Sequence, residues 1–328
     1  MSSIHIDKRA GAAGFWRRGR LAVVVLVGFL VAALAAGCGS GESGEAGAAE
    51  GKIQTTTTTT MITDLVRQVG GDKVDVTGLM GPGVDPHLYK ASQNDVSAMQ
   101  DADVIFYNGL LLEGKMGDIL VKLGQQKPTV QVTEGIPEDM LTEPPEFQGH
   151  FDPHVWFDVE MWEMTVDPVV EQLSELDPQS AGYFEENGER YKKQLDELDA
   201  YVQEQISKIP EEQRVLVTAH DAFNYFGDKY GMEVRGLQGI STESEAGSRD
   251  VQEIAEFLAE REIRAVFIES SVPPETIEAV KTATVDRGWE VEIGGKLYSD
   301  AGGDAGTEAE TYVGMVRENV NTIVEALV

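Results

Sequence analysis

The sequence predicts an α/β protein of two lobes, each a four-stranded parallel sheet flanked by helices, with one long helix joining them. Three features carry that expectation. Short apolar, β-branched runs alternate with amphipathic helical stretches, the pattern of parallel sheets covered on both faces. The runs fall into two sets of four. Between the sets, a charged stretch beginning at Pro178 keeps Phe184, Tyr191, Leu195, Leu198, Val202 and Ile206 on one helical face, and Pro210 closes it. The chain accordingly divides into a leader (1–37), a tether (38–51), a first lobe (52–177), a linker helix (178–209) and a second lobe (210–328).

The leader opens with Lys8, Arg9, Arg17, Arg18 and Arg20 against Asp7 alone, followed by sixteen uncharged residues at 21–36. A membrane span wants about 20 apolar residues, so the proportions are those of an export signal. Cys38 follows directly and is the only cysteine among 328 residues, which excludes an internal disulfide. A lone cysteine in this place resembles the lipid-modified cysteine of a bacterial lipoprotein, although Ala35 stands where that motif usually has Leu. A lipid on Cys38 would tether the chain outside the cytoplasm. Residues 39–51 are mostly Gly, Ala, Glu and Ser, a flexible tether with nothing to bury.

The threonine run at 55–60 is a strand former rather than low complexity. Strands are expected at 53–60, 74–79, 104–107 and 129–132, with helices near 61–69, 92–100 and 115–124. The second set is 214–218, 233–237, 265–268 and 290–293, with helices near 221–230, 248–261, 274–286 and 307–327. The linker, about thirty residues at about 1.5 Å each, makes a rod of about 45 Å, enough to run from lobe to lobe. Losing the leader removes five positive charges and one negative, taking the formal charge from −31 to −35. So acidic a chain is no partner for nucleic acid. It would concentrate cations nearby, although a solvated surface alone accounts for such acidity.

Outside the leader the histidines are His87, His150, His154 and His220. Three stand in distinctive contexts: Asp85-Pro86-His87, Asp152-Pro153-His154 and Thr218-Ala219-His220-Asp221. Proline fixes its own φ and holds the preceding residue extended, so each Asp-Pro-His presents its histidine from a stiff loop. His87 follows the strand at 74–79, His220 ends the strand at 214–218, and Asp300 comes shortly after the strand at 290–293. Ligands of open parallel sheets bind beyond the carboxyl ends of the strands. One histidine would more often be structural, but residues from two lobes meeting at one cleft point to a shared site. His150 is expected to be an exposed loop residue.

These stretches resemble the metal-specific solute-binding proteins of zinc and manganese ABC transporters, the cluster A-I type. The likeness rests on 78–87, 103–109, 152–156, 216–226, 267–273 and 297–316, the last with Tyr298-Ser299-Asp300 and Gly303-Asp304-Ala305-Gly306. It implies one divalent metal held by His87 and His154 from the first lobe and by His220 and Asp300 from the second. It implies a permease with its ATPase as partners, a membrane anchored through lipid, a monomer, and no enzymatic activity. Two departures bear on the metal. The His- and acid-rich loop that zinc-dedicated members often carry is short here (143–149), and the third histidine, often Glu in manganese-dedicated members, is His220. Glu269 either orients the second nitrogen of a ligand histidine or forms a structural ion pair. Glu243 and Glu245 are equally open.

Two other functions compete. A metallohydrolase keeps three protein ligands and an open position for water, whereas four ligands are implied here and no His-Glu-x-x-His motif occurs. A surface adhesin or metal store would carry the same anchor and site. Imidazoles suit zinc and carboxylate oxygen suits manganese, and manganese binds weakest in the divalent order. Zinc is therefore expected to bind tighter than manganese, with affinity falling below about pH 6 as histidines near their ordinary pKa of about 6.5 take up protons.

Overall fold

The threonine run is divided between two elements. In the computed structural model, which describes residues 51–328, strand β1 (Ile53–Thr57) ends halfway through it. Thr59 then caps helix α1 (Thr60–Gly70), its hydroxyl accepting the N–H of Ile62. A threonine oxygen that satisfies a free helix donor outweighs the β-preference of the same residue. The leader and Cys38 lie outside the described residues.

The first lobe continues through β2 (Val74–Gly78), α2 (Gln93–Asp101), β3 (Val104–Tyr107), α3 (Gly117–Gly124) and β4 (Thr129–Gln131). Its strands form one parallel sheet in the order β2-β1-β3-β4, with Thr55 facing Val76 on one side and Val104 on the other. Two helices that the strand pattern did not anticipate follow, α4 (Val159–Met164) and α5 (Val166–Leu176). Asp158 caps α4, accepting from the N–H groups of Glu160 and Met161. Pro168 reads as a helix breaker, yet it sits in the first turn of α5, where its missing N–H has no intrahelical partner to lose. The linker helix is α6 (Ala181–Ile206), shorter than expected at both ends.

The second lobe runs β5 (Val215–His220), α7 (Asn224–Tyr230), β6 (Glu233–Gln238), α8 (Ser248–Arg261), β7 (Ala265–Glu269), α9 (Glu275–Val285), β8 (Glu292–Leu297) and α10 (Tyr312–Leu327). Its four strands pair as two parallel couples, β5 with β6 and β7 with β8. β5 and β7 lie side by side without a continuous backbone ladder. At their carboxyl ends the link is a side chain, the Glu269 carboxylate accepting the N–H of His220 at 2.8 Å. β8 begins and ends later than the apolar pattern implied. It includes Gly294 and Gly295, and the register against β7 shifts there: Val266 faces Ile293 while Phe267 faces Gly295. A Cβ on Gly294 would lie 2.7 Å from the Phe267 ring and 2.6 Å from Ala326, so the bulge requires glycine.

Each lobe has a small apolar cluster of its own, around Met99 and Ile105 in the first and around Val217 and Val266 in the second, but the main core is not divided by lobe. One apolar cluster runs from Ile53 and Leu65 through Trp162, Leu195 and Leu198 to Phe226, Phe267, Val320 and Leu327. The six residues that sequence placed on one face of α6 are all buried. α10 packs on α6 and α1, although it belongs in sequence to the second lobe. Tyr312 fixes that return: its ring stacks on Trp162 at 5.1 Å, its hydroxyl donates to the Trp156 carbonyl at 2.7 Å, and its N–H donates to buried Asp64 at 2.9 Å.

Because Leu198 is fully buried in this shared cluster, Leu198→Ala should cost about 2–5 kcal/mol. Denaturant unfolding followed by circular dichroism and tryptophan fluorescence should give one coincident transition for both probes. Two separated transitions would contradict a core held in common.

Candidate metal centre

Each element delivers one side chain to the same point. His87 lies in the loop after β2, where Gly83 takes a left-handed conformation (φ 71°) with the Ser270 carbonyl 3.2 Å from where a Cβ would stand. The Asp85 carboxylate accepts the N–H of His87 at 2.9 Å, closing an Asx turn across Pro86. The second Asp-Pro-His repeats the turn and extends it. Asp152 Oδ1 accepts the N–H of His154 at 3.0 Å and lies 2.7 Å from its Nδ1. His220 is the last residue of β5, and its Nδ1 is 2.5 Å from Glu269 Oε2. Asp300 follows the end of β8 by three residues.

One ligand-type atom from each of His87, His154, His220 and Asp300 can be chosen so that all four lie within 4.8 Å of one another. Nε2 of His87 is 3.3 Å from Nε2 of His154 and 3.9 Å from Asp300 Oδ2. Asp300 Oδ1 is 3.5 Å from His154 Nε2, and Oδ2 is 3.4 Å from His220 Nε2. All four residues are at most 2% exposed. With Nδ1 of His154 and His220 each committed to a carboxylate, both rings turn Nε2 inward. His220 Nε2 and Asp300 Oδ1 are buried and have no hydrogen-bond partner. An unsatisfied buried polar atom costs about 1–3 kcal/mol. A cation among these atoms would satisfy both.

Charge is distributed unevenly over the cluster. Burial pushes the His87 imidazole down to about 3, against the attraction of Asp300, so it is neutral and offers a lone pair. Burial also opposes charge on His220, but the Glu269 and Asp300 carboxylates prevail and hold it well above the usual histidine value. Burial likewise disfavours ionised Asp300, yet the imidazoles, His220 foremost, hold it far below the ordinary carboxylate range. Three imidazoles and one carboxylate without a thiolate, once His220 gives up its proton, are a donor set for a borderline divalent transition metal.

Of the other residues singled out in the sequence, His150 is exposed, with its ring edge against Phe147. Glu243 pairs with Lys115 at the surface, and Glu245 is exposed; neither belongs to the cluster. Glu269 is buried, and its carboxylate pairs with Nδ1 of His220, so the two readings of this residue, orienting a histidine and forming an ion pair, fall on one contact. Sequence reasoning passed over Asp152, whose signal was the repeated Asp-Pro-His itself. It also passed over Trp156, whose indole N–H donates to the Ser299 carbonyl at 2.9 Å and ties the segment bearing His154 to the one bearing Asp300.

Comparison with known proteins gives consistent likenesses. The family described as zinc-uptake complex component A, periplasmic (ZnuA), matches residues 56–326. The manganese-binding lipoprotein MntA of Bacillus subtilis is 49% identical over 312 residues, 95% of this chain and 99% of that protein. The zinc-binding protein TroA of Treponema pallidum is 51% identical over 280 residues, 85% of this chain and 90% of that protein. The solved structure of the periplasmic zinc-binding protein TroA superimposes with a TM-score of 0.83, covering 84% of this chain and 99% of that one.

The electrostatics of His220 can be read in solution. A histidine whose folded pKa is raised keeps its proton above pH 6.5, and the stability it contributes is lost only as pH rises through the folded value. Imidazole 15N spectra of the metal-free protein should show both ring nitrogens of His220 protonated at pH 7. Glu269→Gln should move its titration to lower pH. An ordinary titration near 6.5 in the unsubstituted protein would contradict this account.

Proposed function

As the chain belongs to the zinc-uptake complex component A family, we propose that it is the extracytoplasmic solute-binding component of an ABC importer for zinc or manganese. It captures one divalent ion as cargo and hands it to a membrane permease served by an ATPase. The observation that carries this reading is the convergence of His87, His154, His220 and Asp300 at one buried point between the two lobes. We assign these four as the metal ligands, the first two from a lobe of residues 52–177 and the others from a lobe of residues 210–328, with α6 between them.

Four protein donors leave no position open for a water nucleophile, so the ion is held and not used for catalysis. Relatives named for manganese and for zinc stand at nearly equal identity, 49% and 51%. The donor set therefore argues the preference. The divalent order puts zinc above manganese, and a second Asp300 oxygen would add a fifth ligand for the larger ion. At pH 7 the ion displaces the proton held on His220. Cys38 is the lipid attachment point that keeps the protein at the outer face of the membrane.

Elemental analysis of the purified chain should give one metal ion per molecule, and calorimetry at pH 7 should show zinc displacing manganese, with binding of zinc to the metal-free chain releasing about one proton from His220. Alanine at His87, His154, His220 or Asp300 should abolish tight binding. Asp152→Asn and Glu269→Gln should weaken it about 10–100-fold, and His150→Ala should leave it unchanged. Two ions per chain, or full affinity without His220, would refute the ligand assignment.

For the anchor, Cys38→Ala should shift the protein from the membrane fraction to the soluble fraction or stall its processing. Unaltered membrane association and processing would remove the lipid anchor from the model of function.

A further inference from the structure

The four candidate ligands are sealed from solvent, so an ion must reach them through some part of the seam between the lobes. Among the described residues, one cavity of about 380 Å³ on that seam is connected to the cluster in three ways. Asp85, in its wall, accepts the backbone N–H of His87. Ser271, also in its wall, has its hydroxyl 3.4 Å from Asp300 Oδ2 and 2.7 Å from the Ser299 hydroxyl. Gln238, the third, is the β-register partner of His220. Only His154 has no neighbour there, being backed instead by Asp152 and Trp156.

The chemistry of the wall suits a hydrated cation. Asp85 and Glu245 contribute carboxylates, Thr242 and Ser271 hydroxyls. Gln238 is 9% exposed, and its Oε1 is buried with no hydrogen-bond partner. That oxygen is an acceptor held ready for something absent from the protein's own hydrogen bonding. Six waters of hydration at about 30 Å³ each come to about 180 Å³, so an ion still carrying its hydration shell fits. The two lobes are fastened at this mouth by the Thr242 hydroxyl, which donates to Asp85 Oδ2 at 2.6 Å. The second cavity on the seam, of about 260 Å³, suits a cation less well. Its carboxylates, Asp64 and Glu310, share the wall with the Arg67 guanidinium and already accept from the Gln68 amide, the Tyr312 N–H and the Gly306 N–H, and beside it the Gly302 N–H is tied to the Thr60 hydroxyl at 2.7 Å.

We propose that the cavity lined by Asp85, Gln238, Thr242 and Ser271 is the portal through which a hydrated divalent cation enters and leaves, with the Thr242–Asp85 hydrogen bond as its gate. Oxygen atoms of the wall replace waters one at a time before the imidazoles take the ion. Release requires the gate to part, which frees the loop bearing His87. This inference rests on the metal-binding reading and adds the route to it.

The test is stopped-flow zinc binding to the intact chain, followed by competition with a zinc-sensitive indicator dye and, for dissociation, by transfer to a chelator, alongside equilibrium stoichiometry and affinity. Thr242→Val should speed association and dissociation together, by roughly two- to tenfold as expected for one lost hydrogen bond, with equilibrium affinity nearly unchanged. Thr276→Trp, at the rim of the same cavity, should slow both. Gln238→Leu should slow association. Ala305→Trp, in the cavity containing Arg67, should change neither rate. Unaltered kinetics in Thr242→Val and Gln238→Leu, or slowing by Ala305→Trp, would overturn the portal while one tightly bound zinc per chain kept the metal site standing. Failure of the unsubstituted chain to bind zinc would overturn the metal-binding reading itself and the portal with it.

Discussion

Asp300 is the constraint around which the molecule is arranged. A carboxylate with 1% of its surface exposed, inside a protein, demands positive charge or donors close by. Here they come from three imidazoles on three separate segments, and each imidazole needs its own support. Asp152 and Glu269 hold two rings by Nδ1 and by backbone at once, while Asp85 holds the third only through its N–H. The partners fix orientation, and orientation is what makes four donors coincide. Remove one support and a buried charge loses part of its compensation, which is why these carboxylates matter although none faces the centre.

The same requirement explains the seam. Asp300 comes from one lobe, and two of its imidazoles come from the other, so the lobes must meet with little freedom. Trp156 to Ser299, Tyr312 to Trp156 and Asp64, and Gly302 to Thr60 all cross between the two halves. Beneath them lies one apolar cluster shared through α6 and α10. A shared close-packed core resists a wide hinge, so movement around the buried cluster falls to loops such as those bearing His87 and Thr242.

Much of this was legible in the residues because function and topology use the same signals. The strand at Val104–Tyr107 and the helix at Ser248–Arg261 stand at the bounds their patterns imply. His87, His154, His220 and Asp300, marked out by the Asp-Pro-His motifs, by strand-end position and by the family resemblance together, lie side by side in the fold. What escaped has physical reasons. Thr58 and Thr59 have β-forming side chains but serve a turn and a cap. Gly294 and Gly295 look like strand breakers, but they make a bulge demanded by Phe267 and Ala326. α4 is six residues long, too short for a period to be visible. The backing role of Asp152 depends on how its carboxylate folds over the next turn, which spacing alone does not convey.

The return of α10 to the first lobe has a consequence for the order of events in the life of the chain. Tyr312, Met315, Val320, Ile323 and Leu327 complete a cluster that begins at Ile53. Contacts spanning so much of the sequence make folding slow and leave a growing or half-emerged chain without its last layer. Asp300 is equally late to arrive. A nascent fragment therefore has neither a finished core nor the buried cluster of His87, His154, His220 and Asp300, and both are completed only when the last fifth of the chain arrives.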